Sequence, residues 1–234
     1  MRGCLFVLVL AVAVLSVAAW FGSPILASTV ISGVIENAGF HAASSTVTAT
    51  SDPPLRLLLG RADRVEIAGT DVAFRTFHAA SLDLVLTDVD VLGHTAGRIS
   101  GRIDGAEMTT TAGETTTADV TIDGVARAAD ALIVVDAATV RRVVTGTFQQ
   151  KFGVAVSSVK LIAPDTLRIT APGANVEGRV LVDADGAIAF STSLGSSPIL
   201  NLDPSFPLRF RSVRVDGGDL RIDAVLDATS LLGG

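Results

Sequence analysis

The chain has 234 residues, with 18 Lys and Arg against 24 Asp and Glu, a net charge of −6 and a mean hydropathy of +0.54. That length suits one domain with a full core. The acidic balance argues against nucleic acid as a partner, and against docking on anionic lipid through a basic patch. Cys4 is the one cysteine, so no disulfide framework is available and no thiolate chemistry follows the first residues.

Met1-Arg2 opens the chain and a single apolar run fills residues 5–21. A positive start, an apolar stretch and small residues behind it are the grammar of a secretory signal, with Ala19 or Ala27 as cleavage ends. Counting residues 22–27 into the run makes it long enough for an uncleaved membrane anchor. Either outcome makes residues 1–27 a signal peptide or N-terminal anchor. The single domain 28–234 then sits in the cell envelope or periplasm, secreted or tethered. Cys4 precedes the apolar run, where a lipid-modified cysteine does not lie.

Beyond residue 27 there is no Trp and no Tyr, and eight Phe remain. Sugar and single-stranded nucleic-acid sites stack their ligands on aromatic rings, so neither ligand suits this inventory. Dense Val, Ile, Leu and Ala suit an apolar ligand or, equally, a well-filled core.

Residues 28–40 read as a short helix, capped by Ser28 or Thr29 and ended at Gly39. Residues 41–50 alternate as a strand up to Asp52-Pro53-Pro54. An apolar patch at 55–59 is closed by Gly60, and 64–67 resumes alternation. Residues 82–91 form the clearest strand, with a phase slip near Leu86 that marks a bulge. Thr-rich 109–117 reads as a hairpin or loop, and 120–135 as strand with Asp123-Gly124 as an internal turn.

Asp136 caps the convincing internal helix, whose stripe is Val140, Val143, Val144, Thr147, Phe148 and Phe152; Arg141, Arg142, Gln149 and Gln150 take the other face. Strands follow at 154–162, 167–170, 176–182, 187–193, 208–215 and 220–226, joined by Pro164-Asp165, Asp185-Gly186 and Asp216-Gly217-Gly218. The expected fold is α+β: a curved antiparallel sheet wrapped around one long amphipathic helix, plus the short N-terminal helix.

Three stretches carry a resemblance. Residues 53–67 hold two prolines, an apolar patch, a glycine and an acidic alternating strand. Residues 136–144 are the capped helix, and 206–224 run from Phe206-Pro207-Leu208-Arg209-Phe210 through a closing hairpin. Together they resemble the LmeA-like family of actinobacterial envelope proteins, over most of residues 28–230. The resemblance implies a phospholipid-binding protein with a fold similar to the tubular lipid-binding proteins, serving envelope lipid or lipoglycan metabolism. It implies no catalytic motif.

An acyl chain would then lie against Val140, Val144, Phe148 and Phe152 of the helix, a stripe that serves equally as core. The proline-bounded stretch 198–206 carries Ile199, Leu200 and Phe206, and reads as an apolar loop that gates a groove, dips into a bilayer or folds back on the sheet. Phe210 follows it. Arg141, Arg142, Arg209 and Arg211 are candidates for a lipid headgroup and are equally at home as solvated charges. The leading expectation is a non-enzymatic phospholipid binder at a membrane surface, without cofactor. The alternative is a structural or adaptor domain with a filled core, holding a protein partner of unknown kind.

The remaining polar groups favour bland roles. Asp88 with Asp90, and Asp183 with Asp185, have the spacing of paired carboxylates, but lie in a half-exposed strand and a hairpin corner. His41, His78 and His94 lack metal-ligand spacing. Gly195-Ser196-Ser197 is no nucleophile elbow.

Overall fold

The computed structural model describes residues 40–74, 77–109, 115–193, 195–200 and 207–229. These are mostly antiparallel strand, arranged as two sheets with one α-helix. In chain order the strands are β1 (Phe40–His41), β2 (Ser44–Thr50), β3 (Arg61–Phe74), β4 (Phe77–Asp90), β5 (Arg98–Thr109), β6 (Thr115–Val125) and β7 (Ala129–Val135). Helix α1 (Ala137–Phe152) follows. Then come β8 (Ser158–Ile162), β9 (Thr166–Ala171), β10 (Ala174–Val182), β11 (Ile188–Thr192), β12 (Gly195–Leu200), β13 (Leu208–Asp216) and β14 (Asp219–Leu226).

The large sheet runs β3-β4-β5-β6-β7-β14-β13, with β1 and β2 both pairing onto β3; the small sheet runs β12-β11-β10-β9-β8. β14 pairs with β7, so α1 and the small sheet form an excursion between two neighbouring parts of the large sheet. The excursion is tied back where the Val215 N–H donates to the Pro164 carbonyl at 2.6 Å. The large sheet is open, with β1 and β2 at one edge and β13 at the other.

Period-2 alternation explains the layering. β6 buries Thr116, Ala118, Val120 and Ile122 and exposes Thr115, Thr117, Asp119, Thr121 and Asp123. β7 buries Ala129, Ala131, Ile133 and Val135, and β14 buries Leu220, Ile222, Ala224 and Leu226. Register aligns these sets: Val120 faces Ile133, which faces Ile222. The opposite face carries cross-strand ion pairs such as Arg98–Asp123 and Arg211–Asp130.

The phase slip expected in β4 is present. Leu82 and Leu86 are buried, then Asp88 takes φ 52° and the inward set moves to odd positions at Val89. β5 changes phase at a bulge, with Gly105 at φ 61° between buried Ile103 and Ala106 and a register shift against β6. In β5 one extra residue re-phases the side chains against β6, whereas in β4 the inward set changes at Asp88 with the pairing to β3 and β5 unshifted, so the bulge expected there is not formed.

Several expectations are corrected. β5 has no counterpart in the sequence reading, because its inward row is Ile99, Gly101, Ile103 and its alternation is interrupted by glycine. Gly101 is needed there: a β-carbon would lie 2.1 Å from the Asp83 carbonyl oxygen. Of the hairpin or loop expected at 109–117, the hairpin alternative fits: Thr109 and residues 115–117 are strand, pairing antiparallel as Thr109 with Thr115 and Met108 with Thr116. Asp123-Gly124 is not a turn. β6 runs through it to Val125, and the chain reverses at the 3-10 turn Ala126–Ala128, where the Ala126 N–H bonds the Gly97 carbonyl at 3.1 Å. Of the alternatives for 198–206, residues 198–200 fold back on the sheet, as strand β12 paired with β11 rather than as a loop, with Pro198 on an edge strand where its missing N–H is tolerated. β8 starts at Ser158, later than expected. Phe40 opens β1, paired with Phe74, rather than ending a helix; the rest of the expected N-terminal helix and the leader lie outside the described residues. Among the described residues no helix is long and apolar enough to cross a membrane.

Candidate functional site

Helix α1 begins and ends as its sequence directs. The Asp136 carboxylate accepts from the N–H groups of Ala138 (2.8 Å) and Thr139 (3.0 Å), and Gly153 ends the helix at φ 66°. Hydrogen bonds from Thr139, side chain first and backbone second, hold the Asp136 carboxyl below its ordinary range. A second carboxylate, Asp219, accepts from the Ala137 N–H at 3.3 Å, adding negative charge where the helix dipole favours it.

The helix lies against β6, β14 and β8. Its inward stripe buries Thr139, Val140, Val144 and Thr147, while Phe148 is half-buried and Arg141, Arg142, Gln149 and Gln150 are exposed. Phe148 meets Phe190 of β11 edge-to-face, with ring centroids 6.4 Å apart at 62°. Phe190 reaches that position over Gly178 of β10, where a β-carbon would sit 2.7 Å from the ring. Gly178, Phe190 and Phe148 are thus one chain of contacts from small sheet to helix. Neither Phe190 nor Gly178 was singled out from sequence; the aromatic-over-glycine pairing depends on a register that only the folded sheet supplies.

Three threonines interrupt the apolar buried surface, and the hydroxyls of two of them are unpartnered. Thr147 on α1 and Thr116 on β6 are each 5 % exposed, and neither Oγ1 has a hydrogen-bond partner. An unpaired buried hydroxyl is costly, so each marks a place where a polar ligand atom or a water would be welcome.

The sequence-predicted residues fall as follows. Val140, Val144, Leu200 and Phe210 lie in the same continuous core as Phe190, with Phe148 and Ile199 packed against it. The Phe152 side chain and all of Phe206 lie outside the described residues. Arg141 and Arg209 are exposed, Arg142 donates to the Thr139 hydroxyl at 3.0 Å, and Arg211 pairs with Asp130 at 2.8 Å. The four arginines are therefore divided between α1 and β13.

The paired aspartates serve turns. Asp183 accepts from the N–H groups of Asp185 (3.0 Å) and Ala187 (2.9 Å); Asp90 accepts from that of Gly93 (2.8 Å) and faces Arg61 at 3.6 Å. His41, His78 and His94 are exposed and lie in β1, in β4 and in the turn after β4. Among the described residues no three His, Cys, Asp or Glu side chains converge as a metal site would require.

A shallow trough of about 430 Å³ opens on the outer face of β2–β5. Small side chains on adjacent strands (Ser44, Thr46, Thr70 and Ser81) create it, and Asp83, Arg102 and Asp104 border it. Its groups largely satisfy one another: the Ser44 and Thr70 hydroxyls are 2.7 Å apart, Ser81 donates to Asp104 at 3.0 Å, and Arg102 bonds Asp104 and Asp119. The Arg102 hydrogen bond holds the Asp104 carboxyl low, and Asp104 in turn raises the Arg102 guanidinium.

A model of the LmeA-like phospholipid-binding family matches residues 14–225. The chain belongs to that family. No curated protein and no solved structure matches it. For an LmeA-like protein the two regions differ sharply in suitability. The trough offers hydrogen bonds and charge where an acyl chain needs methylene contact, whereas the α1 seam offers aliphatic surface, two aromatic edges and a buried unpaired hydroxyl.

Proposed function

We propose that this LmeA-like protein binds a phospholipid by taking its acyl chains into the seam between α1 and the apolar faces of β6, β14 and β8, beside Phe190. The loaded form we envisage has the large sheet curved over the helix. It acts without catalysis at a membrane surface of the cell envelope, in support of envelope lipid or lipoglycan metabolism. The observation that carries this reading is Thr147. Its hydroxyl is buried and unpartnered, one residue from Phe148 and three from Val144. A phospholipid ester carbonyl passing along the stripe would accept that proton while the flanking methylenes replace side-chain contacts, each worth about 0.8 kcal/mol on burial. Arg141 and Arg142, on the exposed face of the same helix, are the nearest headgroup candidates in sequence; Arg209 and Arg211 lie on β13.

A specific observation favours the second reading. Val140, Val144, Leu200 and Phe210 are already packed in a continuous core, as an adaptor with a filled interior would require. Native mass spectrometry of the full chain purified without detergent, followed by organic extraction, separates the two. A phospholipid mass at fixed stoichiometry is expected. A ligand-free mass that persists after incubation with phospholipid vesicles would leave the adaptor.

A further inference from the structure

The end of the large sheet where β2 turns into β3 and β4 turns toward β5 carries an apolar surface unrelated to the α1 seam. Pro53-Pro54 starts a 3-10 helix, Pro54–Leu59, which buries only Leu57 and leaves Leu55, Leu58 and Leu59 outside. Leu58 is 52 % exposed and Leu59 68 %. Leu92, in the turn after β4, is 77 % exposed, and its Cγ lies 2.8 Å from where a β-carbon on Gly60 would stand. Gly60 takes φ 73° and its carbonyl accepts from the Val91 N–H at 2.8 Å, so the two turns are fastened into one apex. Val125, also exposed, ends β6 two strands along the same end of the sheet.

The apex is built to hold its shape. Asp63 accepts from the Asp52 N–H (2.7 Å), the Ser51 hydroxyl (3.0 Å) and Arg56 (2.7 Å), and the first of these does most to keep its carboxyl below the ordinary range. Arg61 faces Asp90 at 3.6 Å. Both guanidinium groups thus have a carboxylate beside them, and with Asp52 and Asp88 also exposed there the apex has no excess of positive charge.

We infer that this apex is the surface that meets the bilayer, inserting Leu58, Leu59 and Leu92 among the lipid headgroups. The inference rests on the family's ligand being a phospholipid, a molecule that must be drawn from a membrane, but concerns a different surface from the acyl seam. The chemistry favours lipid over protein as occupant. Protein interfaces are anchored by aromatic and arginine side chains across a broad patch; the exposed apolar side chains of this apex are leucines and Val125, and both its arginines lie beside carboxylates. A net charge of −6 supplies no attraction to anionic lipid. Leucine insertion must therefore provide the affinity, and binding should persist at high salt.

The test uses the full chain with Cys4→Ser and Leu59→Cys, labelled with an environment-sensitive nitrobenzoxadiazole and mixed with phosphatidylcholine vesicles. Blue-shifted, brighter emission, quenched by nitroxides on the acyl chains and retained at high salt, is expected. The same label at Lys160→Cys on β8, an exposed site outside the apex, should report water throughout. A label at 59 that stays water-like while the chain co-floats with vesicles would overturn the inference. So would a label already shielded without vesicles in a chain of doubled mass, which would make a second copy the occupant. Replacing both Leu59 and Leu92 with Asp should slow phospholipid transfer from vesicles at least roughly tenfold with the bound stoichiometry unchanged; an unaltered rate counts against docking. If neither wild type nor variant takes up lipid, the acyl seam fails, and the label at 59 still decides the apex.

Discussion

Asp136 shows how much a single side chain decides. Its two hydrogen bonds to the first turn of α1 satisfy donors that no helical carbonyl can reach. Asp136→Ala should cost about 1 kcal/mol, measured by urea denaturation. The pH dependence has a fixed sign. The folded carboxyl lies below its ordinary value of about 3.9, so its stabilisation is present above that pH and disappears as pH falls through the folded value. Asp136→Asn should keep most of the cap and flatten the acid limb of the stability profile. Gly178 acts through space rather than through a bond. Gly178→Val would push a side chain into the Phe190 ring and the Ser191 carbonyl, and should cost roughly 2–4 kcal/mol. Loss of the Phe148–Phe190 contact would be visible as a shifted Phe148 resonance in NMR.

At the scale of elements, the seam is best probed on α1. Val144 is 2 % exposed, so Val144→Asp would place an unpaired charge in the core and unfold the domain, which makes it a poor test of binding. Phe148 is half-buried, and Phe148→Asp should leave a folded chain, as judged by circular dichroism, that no longer retains lipid. Thr147→Val is more discriminating. Removing a buried unpaired hydroxyl should leave stability unchanged or raise it by up to about 1 kcal/mol, whereas a lipid carbonyl that had lost its donor should bind roughly 3- to 10-fold more weakly. If affinity is unaltered, Thr147 has no part in the seam. The helix, its cap and its stop were legible in sequence because a 3.6-residue period and a capping aspartate are local signals. β5 was illegible because its inward positions alternate through Gly101 and its phase changes at Gly105, both meaningful only against β4 and β6. Phe190 was missed for the same reason, and the loop expected at 198–200 was a strand because β11 offered it an edge.

For the whole molecule, the excursion of α1 and the small sheet out of the large one is the feature that binding should act upon. A lipid held between the helix and the large sheet links parts of the chain far apart in sequence, and stabilises the folded state by mass action. Saturation at about 100 times Kd corresponds to about 2.7 kcal/mol. For a chain of this size that should raise Tm by roughly 5–10 °C in scanning calorimetry with short-chain phospholipid. An unchanged Tm in the presence of excess lipid would show that the seam stays shut.

The unclosed sheet also has a consequence for solubility. A long strand with unpaired backbone groups invites a strand from another molecule, and concentrated protein would stack edge on edge. β13 carries Arg209, Arg211 and Arg214, and its register against β14 slips between Phe210 and Ser212, leaving Arg211 as the extra residue. A kinked rim studded with guanidinium groups is a poor template for a neighbour. Whatever those arginines contribute to a headgroup, they also guard the border of the fold. Replacing them with threonine should leave the monomer's stability nearly unchanged while making the protein gel or form fibres on concentration.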